Sequence, residues 1–173
     1  MGKFTALSEN GFSLVEVLLV ISLLVIILSL SAPNLFNQLA REKVASLSTD
    51  VVSILKDAQT KAINSETIDL PTSSEFGVHF TANSYTLFRG VVFNPTDTNN
   101  FLVSVPDNLT IISNLPCPIS PNDCNNIIFS KLNGEVQDFD QTRNSLCLTD
   151  GLNNRILLTT NFLGVIDAQT DGC

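Results

Sequence analysis

The residue most open to chemical interpretation is Glu16, a lone carboxylate in the 21-residue run FSLVEVLLVISLLVIILSLSA, residues 12 to 32, which carries no other charge. A charge at the centre of a membrane segment costs on the order of 2.5–3.5 kcal/mol on insertion scales, and less near the interface, so a carboxylate kept there needs a partner. A chain cut after Gly11 supplies one. The new α-amino group of Phe12 would stand four residues from Glu16, one helical turn away, and a neighbouring copy can present the same amine.

Cys117, Cys124, Cys147 and Cys173 form the second reactive set, all in the C-terminal third. No C-x-x-C pair occurs, which argues against structural zinc or thioredoxin-like chemistry, and an even number in one region fits disulfides formed outside the cytosol. Three pairings are open. The six-residue gap holding Pro118, Pro121 and Asn122 favours a small loop closed by Cys117 with Cys124, leaving Cys147 with Cys173 to tether the tail.

Catalytic candidates are few. The single histidine, His79, sits between Val78 and Phe80, so period-2 alternation turns it away from its apolar neighbours and reads it as a solvent-facing strand residue. Asp138 and Asp140 lack the regularly spaced oxygen ligands of a calcium loop. There is no glycine-rich phosphate loop, G-x-S-x-G or H-E-x-x-H. The sequence thus predicts no enzyme, no cofactor and no metal site. A net charge of −8, unchanged by loss of Lys3 and Glu9, disfavours nucleic acid as a general partner.

The elements that position Glu16 begin with residues 12 to 32, long enough for about 30 Å of helix and hence a bilayer core. A cleaved secretory signal fits poorly, although Ser29, Ser31 and Ala32 are small. The apolar run is too long, Lys3 is balanced by Glu9, and a carboxylate is wasted in a segment to be discarded. An ordinary anchor and an anchor that also packs against copies of itself are the remaining readings.

Pro33 follows directly and alone would mark a helix end. Beyond it, however, Phe36, Ala40, Val44, Leu47, Val51, Leu55, Ala58 and Ala62 recur at spacings of three or four, which predicts an amphipathic helix to about Asn64 and Ser65. Residues 12 to 65 would span roughly 80 Å.

After the helix the period changes to two. Phe76, Val78 and Phe80, then Tyr85, Leu87 and Arg89, read as a hairpin. Further strands are expected at 91–93, 101–105, 109–112 and 127–132, with an Asn133-Gly134 hairpin turn before Val136, and a terminal meander over 146–148, 155–159 and 164–166. The fold class is α+β, a long N-terminal helix packed on a mainly antiparallel sheet. The segments are a leader over 1–11, a membrane helix over 12–32, its amphipathic continuation over 33–65 and a β-rich domain over 66–173.

Gly11-Phe12-Ser13-Leu14-Val15-Glu16 followed by an apolar run resembles the class III signal of type IV prepilins and pseudopilins. The resemblance implies cleavage after Gly11 by a prepilin peptidase, methylation of Phe12, Glu16 as the residue that guides subunits into register, and Pro33 as a helix kink. Leu55-Lys56-Asp57-Ala58-Gln59-Thr60-Lys61-Ala62, Phe76-Gly77-Val78 with Tyr85, and Asn154-Arg155-Ile156-Leu157-Leu158 leading to Gly164 are similar to the FimT and GspH branch of minor pilins and pseudopilins. Some members of that branch bind DNA through a C-terminal arginine motif. Here Gly164-Val165-Ile166-Asp167 carries no arginine, which disfavours DNA.

The function this resemblance implies is a structural subunit of a type IV pilus or type II secretion filament. Its partners would be other pilin or pseudopilin subunits, the prepilin peptidase, the bacterial inner membrane and its assembly platform. The subunit would be held in that membrane by a single pass, with the C-terminal domain outside the cytosol, before entering the filament. The alternative is a filament-tip binding module whose loop over 94–100, or loop between Cys117 and Cys124, contacts a surface, an exoprotein or DNA. A third reading, an anchored domain that never polymerises, predicts that Glu16→Ala changes nothing.

Overall fold

The computed structural model describes residues 13–64, 74–116, 124–152, 154–170 and 172–173, and within the helix leaves out the side chains of residues 30–37. Among these residues the order is one helix, α1 (Leu14–Ile63), then eight strands: β1 (Phe76–Phe80), β2 (Ser84–Arg89), β3 (Phe101–Ser104), β4 (Thr110–Asn114), β5 (Asn126–Phe129), β6 (Ser145–Thr149), β7 (Arg155–Thr160) and β8 (Ile166–Thr170). This is the α+β class expected. The chain divides into two compact units, Met1–Leu39 and Ala40–Cys173.

The strands form two four-stranded sheets rather than one, in the orders β3-β2-β1-β5 and β4-β6-β7-β8. Every pairing is antiparallel. Within the second unit, the expected stripe of α1 is the centre of the core. Val44, Leu47, Val51, Leu55, Ala58 and Ala62 are all buried and share one cluster with Val78, Phe80 and Leu87 of the first sheet and Leu146, Leu148 and Leu158 of the second. The alanines let backbone approach backbone near the helix end, and the larger side chains fill the space between the sheets.

Polar contacts fix the loops to the end of α1. Gln59 Nε2 donates to the carbonyls of Gly134 and Leu163, each at 2.9 Å, and the Leu132 N–H caps the Ala62 carbonyl at 3.0 Å. Those bonds satisfy groups that a helix terminus and its neighbouring turns would otherwise leave unpaired.

Three local expectations are corrected. Residues 91–93 form no strand: Gly90 takes φ 105°, the chain bends, and Phe93 folds back onto the outer face of the first sheet. Asn133-Gly134 makes a turn but no extended hairpin. Leu132 and Gly134 both have positive φ, and the arm closes on one antiparallel bridge, Phe129 with Val136, held by Ser130 N–H to the Glu135 carbonyl and Gln137 N–H to the Ile128 carbonyl, both at 2.8 Å, while the outward Val136 N–H donates to the Phe162 carbonyl. The last strand begins at Ile166, and Gly164, at φ 77°, belongs to the preceding turn.

Candidate functional site

Of the residues the sequence singles out, Glu16 lies in the first turn of α1. Gly11 and Phe12 lie outside the described residues, and the N–H groups of Glu16 and Val17 both donate to the Ser13 carbonyl, at 3.0 and 3.2 Å, which closes the first turn. Glu16 sits in that turn, where the positive end of the helix dipole favours a carboxylate. With Val17, Val20 and Ile21 it borders an apolar groove of about 260 Å³. No cation among the described residues pairs with it.

From there to residue 29 the helix is apolar on every face and exposed on every face. Its thirteen large hydrophobic side chains, Leu14 to Leu28, are between 47% and 78% exposed. Its only hydroxyls among the described residues after Ser13 are turned inward: Ser22 donates to the Leu19 carbonyl and Ser29 to the Ile26 carbonyl, both at 2.8 Å. A helix of this kind in isolation leaves a large apolar surface in water, of the sort that marks a contact surface. Among the described residues no helix is long and apolar enough to cross a membrane, and the expected run over 12–32 extends past the described side chains at both ends. Pro33 falls within the helical backbone of α1, with its side chain outside the described set.

The cysteines are all oxidised among the described residues. Cys147 of β6 and Cys173 are joined, with Cα atoms 6.0 Å apart, closing a 26-residue separation that holds the chain's end to a central strand. Cys124 is disulfide-bonded, and Cys117, the partner expected for it, lies outside the described residues.

His79 is not a freely solvated strand residue. Its ring stacks on Phe93 at 4.1 Å and 6°, Phe93 meets Phe88 edge-on, and Nδ1 lies 2.7 Å from Asn126 Oδ1. Gly77 makes the room: a Cβ there would come within 2.7 Å of the ring of Phe88, its cross-strand neighbour. Period-2 alternation gave the correct face but missed that the bend after β2 covers it. The following loop, residues 94–100, is braced by its own side chains: Asn94 Oδ1 accepts from Thr96, Asp97 Oδ1 from Asn99, and Asn100 Nδ2 donates to the Asn94 carbonyl at 2.7 Å.

The acidic turns are likewise structural. Asp140 Oδ1 accepts from the Thr142 N–H and hydroxyl, which holds its carboxyl below the usual range. Asp150 is pushed up by partial desolvation, but donors from Asn154 and Leu152 outweigh that and the carboxyl ends below its ordinary value. Among the described residues no three potential ligands converge on a metal position. No sequence pattern brought Arg41 of α1 beside Arg155 of β7, 114 positions later; only the pairing of sheet and helix does so.

No family profile and no curated protein sequence matches the chain. Among solved structures, the minor pseudopilin EpsH of the type 2 secretion system of Vibrio cholerae aligns with a TM-score of 0.45 and 16% identity, covering 78% of this chain and 98% of that one.

Proposed function

We propose that this chain is a minor pilin or pseudopilin, a filament subunit trimmed after Gly11, methylated at Phe12 and assembled through the first part of α1. The observation that carries the reading is the contrast within one helix. The second unit buries the apolar stripe of its own stretch of α1, from Val44 to Ala62, while residues 14–29 present apolar side chains on all faces with one carboxylate in the first turn. Before assembly that surface would be stored in the inner membrane, and in the filament it would be covered by the same segment of other subunits.

Glu16 gives the assembly its register. Buried in lipid or among helices, its carboxylate is neutralised by an α-amino group at Phe12, and pairing with the amine of a neighbour rewards docking at one axial position only. The globular unit, locked by the bond between Cys147 and Cys173, would be displayed on the outside of a pilus or secretion filament.

The test is Glu16→Ala in the full chain. Removing the carboxylate eases membrane insertion but removes the pairing, so the variant should accumulate in the membrane and be lost from the sheared filament fraction. Unchanged incorporation would mean that Glu16 does not guide assembly and would favour an anchor that never polymerises.

A further inference from the structure

Two clefts of opposite charge flank the buried stripe of α1 within the second unit. The first, about 150 Å³, is bordered by Arg41 of α1 and by Asn154, Arg155 and Thr170 beside the second sheet, over a floor of Val44 and Ile156. Neither arginine has a carboxylate partner among the described residues. In a chain with nine basic and seventeen acidic residues, two unpaired guanidinium groups on one small apolar-floored cleft are a concentrated exception. Arginine forks match carboxylates in geometry.

The second cleft, about 380 Å³, is bordered by Asp50 and Asp57 of α1 and by Tyr85, Phe101 and Val103 of the first sheet. Asp57 is bound to Lys61 at 3.1 Å, while Asp50 has no ion pair among the described residues. Phe101 and its neighbour Leu102 are more than half exposed. At about 100° per residue, Arg41 and Ala45 fall on one side of the buried stripe, and Asp50, Ser53 and Asp57 fall on the other. The cation and its complement therefore cannot meet within one chain.

We propose that the Arg41 and Arg155 cleft receives the Asp50 face of a second copy of this chain. The occupant follows from charge complementarity: a long polyanion is opposed by the net charge of −8, whereas Asp50, the carboxylate of that face without an ion pair among the described residues, set beside Phe101 and Val103, fits both the arginines and the floor. Because the two faces differ, the contact is heterologous. It repeats from copy to copy rather than closing into a two-fold pair, and in an open filament it runs along the helical array. This proposal rests on the filament reading and names its lateral contact.

Full-length Ala45→Cys and Ser53→Cys chains, tagged to different sizes and co-expressed, would be treated in their membranes with a short bis-maleimide. The mixed product should exceed either same-site product by about tenfold. Arg41→Glu with Arg155→Glu in the Ala45→Cys chain should lower it by roughly tenfold, and Asp50→Lys in the Ser53→Cys chain should restore it. Same-site products in excess, products with other proteins only, or no product would each overturn the contact. The N-terminus of the same preparation separates the two claims. Chains beginning at Phe12 without mixed product remove this contact and keep the filament, whereas mixed product from untrimmed chains keeps the contact and removes the filament reading.

Discussion

The two parts of α1 share a backbone geometry and differ in what surrounds them. Residues 14–29 expose every large apolar side chain, whereas between residues 44 and 62 the stripe of Val44, Leu47, Val51, Leu55, Ala58 and Ala62 is 3% exposed or less and most polar positions face outward. Helix propensity does not distinguish them; placement of apolar residues does. In the second part they occupy one stripe and are covered by the chain's own sheets, while in the first they surround the axis and need cover from outside.

The largest effect should come from the second region. Phe80→Ala opens a cavity at a fully buried position facing both helix and sheet, and should cost about 4 kcal/mol of unfolding free energy in a denaturant titration. Leu24→Ala, in the first region, should leave that titration unchanged. If both moved it equally, the two parts would not have separate partners.

Next, Cys147→Ser should remove roughly 3 kcal/mol by releasing a loop with 26 residues of separation, seen as a lower denaturation midpoint under non-reducing conditions. Comparable in size but opposite in location, Leu24→Lys should cost about 2.5–3.5 kcal/mol of membrane insertion, measured by carbonate extraction, while the globular unit unfolds as before.

Gly164→Ala sharpens the role of Gln59. The residue has φ 77°, and a Cβ would come 2.9 Å from Phe129 as well as crowding the Gln59 amide, so a loss of about 1–2 kcal/mol is expected.

The smallest effect concerns pH. Asp150 has its folded pKa below the unfolded value of about 3.9, so its contribution is present above that pH and fades as pH falls through the folded value. Its exposure keeps this below about 1 kcal/mol. Protection of the Leu152 and Asn154 amides, taken relative to their intrinsic exchange rates, should hold to below pH 4 and then fall, and Asp150→Ala should abolish the transition.

Which parts of this were legible in the sequence follows from the range of the interactions. The stripe from Val44 to Ala62 and the β1–β2 hairpin are written in local periodicity, and they appear as expected. The split into two sheets is not local: β1 pairs with β5 some fifty positions on, and β4 with β6 rather than β3, pairings set by how apolar faces close over α1. The run over 91–93 reads as a strand by composition, yet Gly90 bends the chain and stacking on His79 and Phe88 draws Phe93 onto the sheet. At the candidate site, Glu16 stands out in sequence because its neighbours are uniformly apolar. Arg41 and Arg155 do not, since nothing along the chain connects a helix residue to a strand 114 positions away.

The central claim is that residues 12 onward are freed at Gly11 and assembled through their apolar surface. Intact mass and N-terminal sequencing of the protein from its native membrane test it most directly. The account predicts a chain beginning at N-methylated Phe12, whereas a chain retaining Met1 in a cell with an active prepilin peptidase, or one beginning at Ala32 or Pro33, would contradict it.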